Sequence, residues 1–98
     1  MANLEEIAEL FKALSDPTRL KIVKILAESP RPLCVKAITH RLEVSQPAVS
    51  QHLRILRQAG LAQGQRYGVH VHYSLNREAL EQLRNGVHEE LGEELVLV

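Results

Sequence analysis

The chain has 98 residues and a mass of 11.0 kDa, enough for one domain and one core. At 45% hydrophobic and 24% charged residues it has the composition of an ordinary globular protein rather than a disordered one. Twelve basic residues balance twelve acidic ones, and taken whole that zero argues against a nucleic-acid partner. The longest apolar run, Leu95–Val98, falls far short of the roughly 20 residues a membrane span requires. Glu5, Glu6 and Glu9 replace the basic and apolar regions of a signal peptide, so the expected compartment is the cytoplasm. A single cysteine, Cys34, excludes an intrachain disulfide framework and a zinc ribbon.

The balance dissolves when the chain is divided. Residues 1–14 carry Lys12 against Glu5, Glu6 and Glu9, a net of −2. Residues 15–76 carry nine bases against Asp16, Glu28 and Glu43, a net of +6. Residues 77–98 carry Arg77 and Arg84 against six glutamates, a net of −4. A basic middle between two acidic ends concentrates positive field on one part of the molecule.

In chain order, Asn3 and Glu6 form a capping-box-like start. Leu4, Ile7, Ala8, Phe11 and Leu14 then predict an amphipathic helix over 4–14. Ser15-Asp16-Pro17 ends that helix and opens a second, whose Leu20, Ile22, Val23, Ile25 and Leu26 are apolar on more than one face, as in a central helix. Pro30 and Pro32 make a loop. A short third helix is expected over 34–42 with Val35, Ile38 and Leu42 inward. After the break at residues 43–45, Ser45 and Pro47 open a fourth helix that runs to Ala59 and stops at Gly60. Beyond it the period changes from 3.6 to 2. Val69, Val71, Tyr73 and Leu75 alternate with His70, His72 and Ser74, a strand with one covered face. Its hairpin partner starts at Leu61, with Tyr67-Gly68 as the turn. Asn76 caps a last helix striped by Leu80, Leu83, Val87, Leu91 and Leu95.

Two helices across a three-residue break, followed by a β-hairpin, fit a winged helix-turn-helix. The expected class is mainly α with a small β-hairpin, in the order α-α-α-α-β-β-α. In the fourth helix Val49, Leu53 and Leu56 form the inward stripe, and Gln46, Ser50, Gln51, Arg54 and Arg57 lie mostly opposite. Glutamine can pair with adenine, arginine with guanine, and serine with phosphate or a base edge. Ser45 and Gln46 sit where helix N–H groups and the dipole favour a phosphate. A solvated helix face also favours Gln, Ser and Arg, but no acidic residue occurs between Ser45 and Glu78. DNA contact is the preferred reading.

Leu14-Ser15-Asp16-Pro17-Thr18-Arg19-Leu20, Ser45-Gln46-Pro47-Ala48-Val49-Ser50-Gln51-His52-Leu53, Ala59-Gly60-Leu61 and Tyr73-Ser74-Leu75 resemble the ArsR/SmtB family of repressors, over about residues 4–90. The resemblance implies a homodimeric winged-helix repressor that binds a palindromic operator in double-stranded DNA and leaves it when an effector binds. Residues 1–98 then form a single DNA-binding domain with N- and C-terminal dimerisation helices. By position, Ser45, Gln46, Ser50, Gln51, His52 and Arg54 become DNA contacts, and Arg66, placed at the hairpin turn, the wing contact. The first and last helices would build the dimer through Leu4, Ile7, Phe11, Leu80, Leu83, Val87 and Leu91.

The family's metal sites are incomplete here. Its third-helix motif Glu-Leu-Cys-Val-Cys-Asp-Leu corresponds to Pro32-Leu33-Cys34-Val35-Lys36-Ala37-Ile38, so the second cysteine is Lys36 and the acid is Ala37. A lone thiolate cannot build the sulfur-rich sphere that soft metals take. The Asp-x-His element of the last helix is also missing, although Glu81, Asn85 and His88 share a face. Cys34 and His88 are thus the metal candidates, each short of a ligand set, and no cofactor is assigned. His70 and His72, two residues apart, suit exposed positions or phosphate contacts. An enzyme is not expected, since no phosphate loop or nucleophile motif occurs and the histidines fall on separate elements. Phe11, Tyr67 and Tyr73 are too few aromatics for an RNA-stacking platform. The competing expectation is a winged-helix protein-interaction module without sequence-specific DNA binding.

Overall fold

The computed structural model describes residues 2–92, so Leu95 and the closing apolar run lie outside the described residues. Helix α1 (Leu4–Leu14) starts with the full capping box: Asn3 Oδ1 accepts from the Glu6 N–H at 2.8 Å, and the Asn3 N–H donates to Glu6 Oε1 at 3.3 Å. Asp16, not Ser15, caps α2 (Pro17–Glu28), accepting the Arg19 N–H at 3.1 Å. The Ser15 hydroxyl instead donates back to the Lys12 carbonyl at the end of α1.

The following segment departs from expectation. Leu33–Cys34 form a short strand, β1, and only Val35–Thr39 form helix α3. The expected helix over 34–42 is cut at both ends. After Thr39 the backbone N–H groups of Arg41 and Leu42 bond three residues back, to Ile38 and Thr39, rather than four. That tighter winding turns the chain toward α4 (Gln46–Gln58) while Ile38 stays fully buried.

Helix α4 is capped by Ser45, whose hydroxyl accepts the Ala48 N–H at 3.3 Å. At its other end Gly60 takes φ +79°, the Gly60 N–H bonds Arg57 O at 2.9 Å and the Leu61 N–H bonds Leu56 O at 2.9 Å. This is a Schellman stop, and its hydrophobic pair, Leu56 and Leu61, is fully buried. Leu61 therefore belongs to the helix stop, and the wing's first strand, β2, spans Ala62–Tyr67.

Strand β3 (His70–Leu75) pairs antiparallel with β2 and with β1, giving the order β1-β3-β2. Tyr67 pairs with His70, so the loop is Gly68-Val69 rather than Tyr67-Gly68. Gly68 at φ +63°, followed by a residue without positive φ, matches a type II′ hairpin. Val69, expected on the covered face, is consequently 87% exposed, while Val71 and Tyr73 are half-buried and Leu75 is buried. The element order is thus the expected one with a single strand added between the second and third helices.

Asn76 closes the wing onto the helices. Its Oδ1 caps α5 (Arg77–Leu91) through the Ala79 N–H, its Nδ2 donates to Gly60 O at 2.8 Å, and its N–H donates to Leu61 O at 2.8 Å. Helices α1 and α5 pack on each other, and one hydrophobic cluster runs from Ala2 to Leu83. Ile7 lies against Gly86. Ile7 at 3% and Leu83 at 7% exposure are spent inside the chain, which corrects their expected place on a partner surface. Leu80 and Val87 are half-buried, and Leu4, Phe11 and Leu91 remain exposed.

Replacing Asn76 by alanine removes a helix cap and a donor to the α4 stop together. The chain should lose about 1–2 kcal/mol of stability, read as a lower urea midpoint at unchanged slope. An unaltered midpoint contradicts this role.

Candidate nucleic-acid interface

The recognition face is built by the helical repeat of α4. Val49, Leu53 and Leu56 are fully buried and fix the helix against the core. On the outside Ser45, Gln46, Ser50, Gln51 and Arg54 are all exposed, as the sequence predicts. Their amides, hydroxyls and guanidinium present both donors and acceptors.

His52 is placed differently. It flanks the buried stripe, with its side chain only 21% exposed. Its Nδ1 lies 3.2 Å from Arg19 Nη1 and 3.9 Å from Asp16 Oδ2. Arginine only donates, so the Arg19 contact is a hydrogen bond when Nδ1 carries no proton, and the Asp16 contact is an ion pair when the ring is protonated. The expected DNA contact is therefore engaged within the helix junction. The same Arg19 donates through Nε to Ala13 O at 2.6 Å and through Nη2 to Lys12 O at 3.5 Å. One guanidinium thereby joins the end of α1, the start of α2 and the side of α4. The Asp16 carboxyl is held below its usual range, chiefly by the Arg19 backbone N–H, against partial desolvation and with help from the charges of His52 and Arg19.

Arg66 is exposed within β2, opposite Val71, and not in the turn. Strand alternation puts it on the same face as Gly64 and Tyr73. Arg57, which the sequence places on the outer face of α4 but which is not among the contacts implied by the resemblance, reaches that face of the sheet from α4. Its guanidinium carbon lies 5.9 Å from the centre of the Tyr73 ring. A Cβ on Gly64 would stand 3.2 Å from that carbon. The signal in the sequence was the glycine: inside a strand it often marks the close approach of another group.

The remaining candidates disperse. His70 is exposed, and His72 is half-buried with its ring 5.0 Å from that of Tyr67. Cys34 is half-buried on β1 opposite His72, whereas His88, Glu81 and Asn85 are exposed on α5. Among the described residues no three His, Cys, Asp or Glu side chains are grouped to hold a metal ion. No helix among them is long and apolar enough to cross a membrane.

A short α3, a recognition helix with a polar outer face and a hairpin braced against it define a winged helix-turn-helix protein. Residues 16–63 match the family model described as bacterial regulatory protein, arsR family. The chain is 39% identical over 83 residues to an uncharacterized HTH-type transcriptional regulator of Methanocaldococcus jannaschii, covering 85% of this chain and 92% of that one. It is 47% identical over 72 residues to the HTH-type transcriptional repressor SmtB of Mycobacterium tuberculosis, covering 74% of this chain and 52% of the relative. The chain thus spans about half the length of that repressor. A solved homodimeric winged helix-turn-helix DNA-binding domain from Mycobacterium bovis, described as a possible ArsR-family transcriptional regulator, superposes with a TM-score of 0.70 at 28% identity, covering 92% of this chain and 87% of that one. The chain belongs to the ArsR/SmtB family of winged helix-turn-helix transcriptional regulators.

A carboxyl with a depressed folded-state pKa adds stability above its unfolded value, near ~3.9, and loses it as pH falls through the lower folded value. Acidification below about pH 4 should therefore weaken the Asp16 junction. Asp16→Asn keeps a cap but cannot titrate, so its thermal midpoint should fall less steeply than that of the wild type in this range. Parallel pH profiles contradict the assignment.

Proposed function

We propose that the chain is a homodimeric repressor that binds a palindromic operator and is released by an effector not yet identified. The observation that carries this reading is the outer face of α4, where Gln46, Ser50, Gln51 and Arg54 are all exposed, as is Arg66 on the wing. Ser45 and Gln46 would meet a phosphate at the helix N-terminus, and Gln51 and Arg54 would read base edges. As a DNA-binding regulator it would act in the cytoplasm, with residues 1–98 serving as one DNA-binding domain.

The dimer would form through what α1 and α5 leave outside, namely Leu4, Phe11 and Leu91, with Leu80 and Val87 at the edge. A two-fold pairing there would place the recognition helices roughly 34 Å apart. The acidic ends would then lie away from the duplex while two basic middles meet it. Cys34 and His88 are not joined into a sensor by this reading, so the effector is sought without assuming a metal.

Footprinting on the DNA upstream of the chain's own gene, repeated with metals, oxidants and small metabolites, tests the proposal. Protection of a palindrome is expected, with its loss in one of the additions. Gln51→Ala should cost about 1–3 kcal/mol of affinity for the protected site and leave the dimer intact. Absence of any protected site favours the protein-interaction module instead. For the dimer, Phe11→Glu should yield monomers by light scattering without unfolding. Leu83→Glu, by contrast, should unfold the chain because Leu83 lies in the core.

A further inference from the structure

Between α4 and the wing lies a cleft of about 450 Å³ lined by Ser50, Arg54, Arg57, Gln58 and Tyr73. Two guanidiniums one helical turn apart line one small space, and no acidic residue is among the described lining. Like charges at this spacing disfavour each other unless an anion joins them. Arg57, although exposed, lies against the wing. Its guanidinium carbon lies 5.9 Å from the centre of the Tyr73 ring, within cation–π range, and it occupies room that Gly64 leaves by having no side chain. A glycine inside a strand often marks a close approach, and here it admits the Val71 side chain and the Arg57 guanidinium. Arg66 shares that face of the sheet.

We propose that this cleft is the seat of one DNA backbone phosphodiester, anchored by Arg57 and closed by Arg54 and the Ser50 hydroxyl. The proposal rests on the DNA-binding reading and deepens it. Arg54 then serves position as well as sequence, and Arg57 contributes affinity that does not depend on the bases. Preorganisation of Arg57 by Tyr73 and Gly64 reduces the ordering cost when the duplex arrives.

The test is fluorescence anisotropy at several salt concentrations with two labelled duplexes, one from immediately upstream of the chain's gene and one of unrelated mixed sequence. Arg57→Gln should weaken both by a similar factor of about ten and lower the slope of log affinity against log salt by about 0.9. Arg57→Lys should restore the slope but only part of the affinity, because an ammonium lacks the planar fork. Gly64→Ala retains every charge, yet its Cβ would stand 3.1 Å from Val71 Cγ1 and 3.2 Å from the Arg57 guanidinium carbon. It should weaken both duplexes as well. Loss in Arg57→Gln confined to the upstream duplex, with slope unchanged, overturns the proposal. So does a Gly64→Ala variant that binds like the wild type. Equal wild-type affinity for the two duplexes contradicts operator recognition while the phosphate seat is still read from both. No wild-type binding to either duplex overturns both readings.

Discussion

The Arg19 guanidinium is the contact on which the rest of the arrangement depends. It holds two carbonyls from the last turn of α1, Ala13 and Lys12, and the Nδ1 of His52 on the recognition helix. Its backbone N–H is held in turn by the Asp16 cap. Apolar stripes bring α1, α2 and α4 together, but hydrophobic burial is non-directional and tolerates sliding. Hydrogen bonds at defined angles do not. The junction therefore sets the attitude of the helix proposed to face DNA relative to the helix proposed to face a second copy. It also gives the Ala13 carbonyl at the end of α1 a partner.

From that junction the molecule divides its labour. Helices α1 and α5 bury Ile7, Leu10, Ala13 and Leu83 within the chain and leave Leu4, Phe11 and Leu91 outside. Toward the other end, the Schellman stop after α4 and Asn76 tie the base of the wing to two helices. The zero net charge conceals this division, because acids gather on the terminal helices and bases on the segment between them. Electrostatic attraction to a duplex depends on that distribution rather than on the total.

Much of this was legible in the sequence because caps and periodicity are local signals. Asn3 with Glu6, Ser45 before Pro47, Gly60 and Asn76 each mark a boundary that the structure keeps. What escaped depends on contacts distant in the chain. Two residues, Leu33 and Cys34, carry no period, and they become a strand only because Tyr73 and His72 lie opposite. The shortened α3 reflects a change from four-residue to three-residue bonding that composition does not announce. Ile7 and Leu83 looked like partner surface because a helical stripe does not say which surface covers it. His52 shared a polar stretch with the DNA face, but its angular position beside Val49, Leu53 and Leu56 turns it toward Arg19. Arg57 and Gly64, seven residues apart in sequence, acquire meaning only once the wing folds back on α4.

Amide hydrogen exchange on Arg19→Gln beside the wild type tests the central claim most directly, since it reads the local opening of each helix. Faster exchange is predicted in α4 and in the last turn of α1, with the β2–β3 hairpin unchanged. An exchange pattern identical to the wild type in α4 would contradict a recognition helix held in place through Arg19.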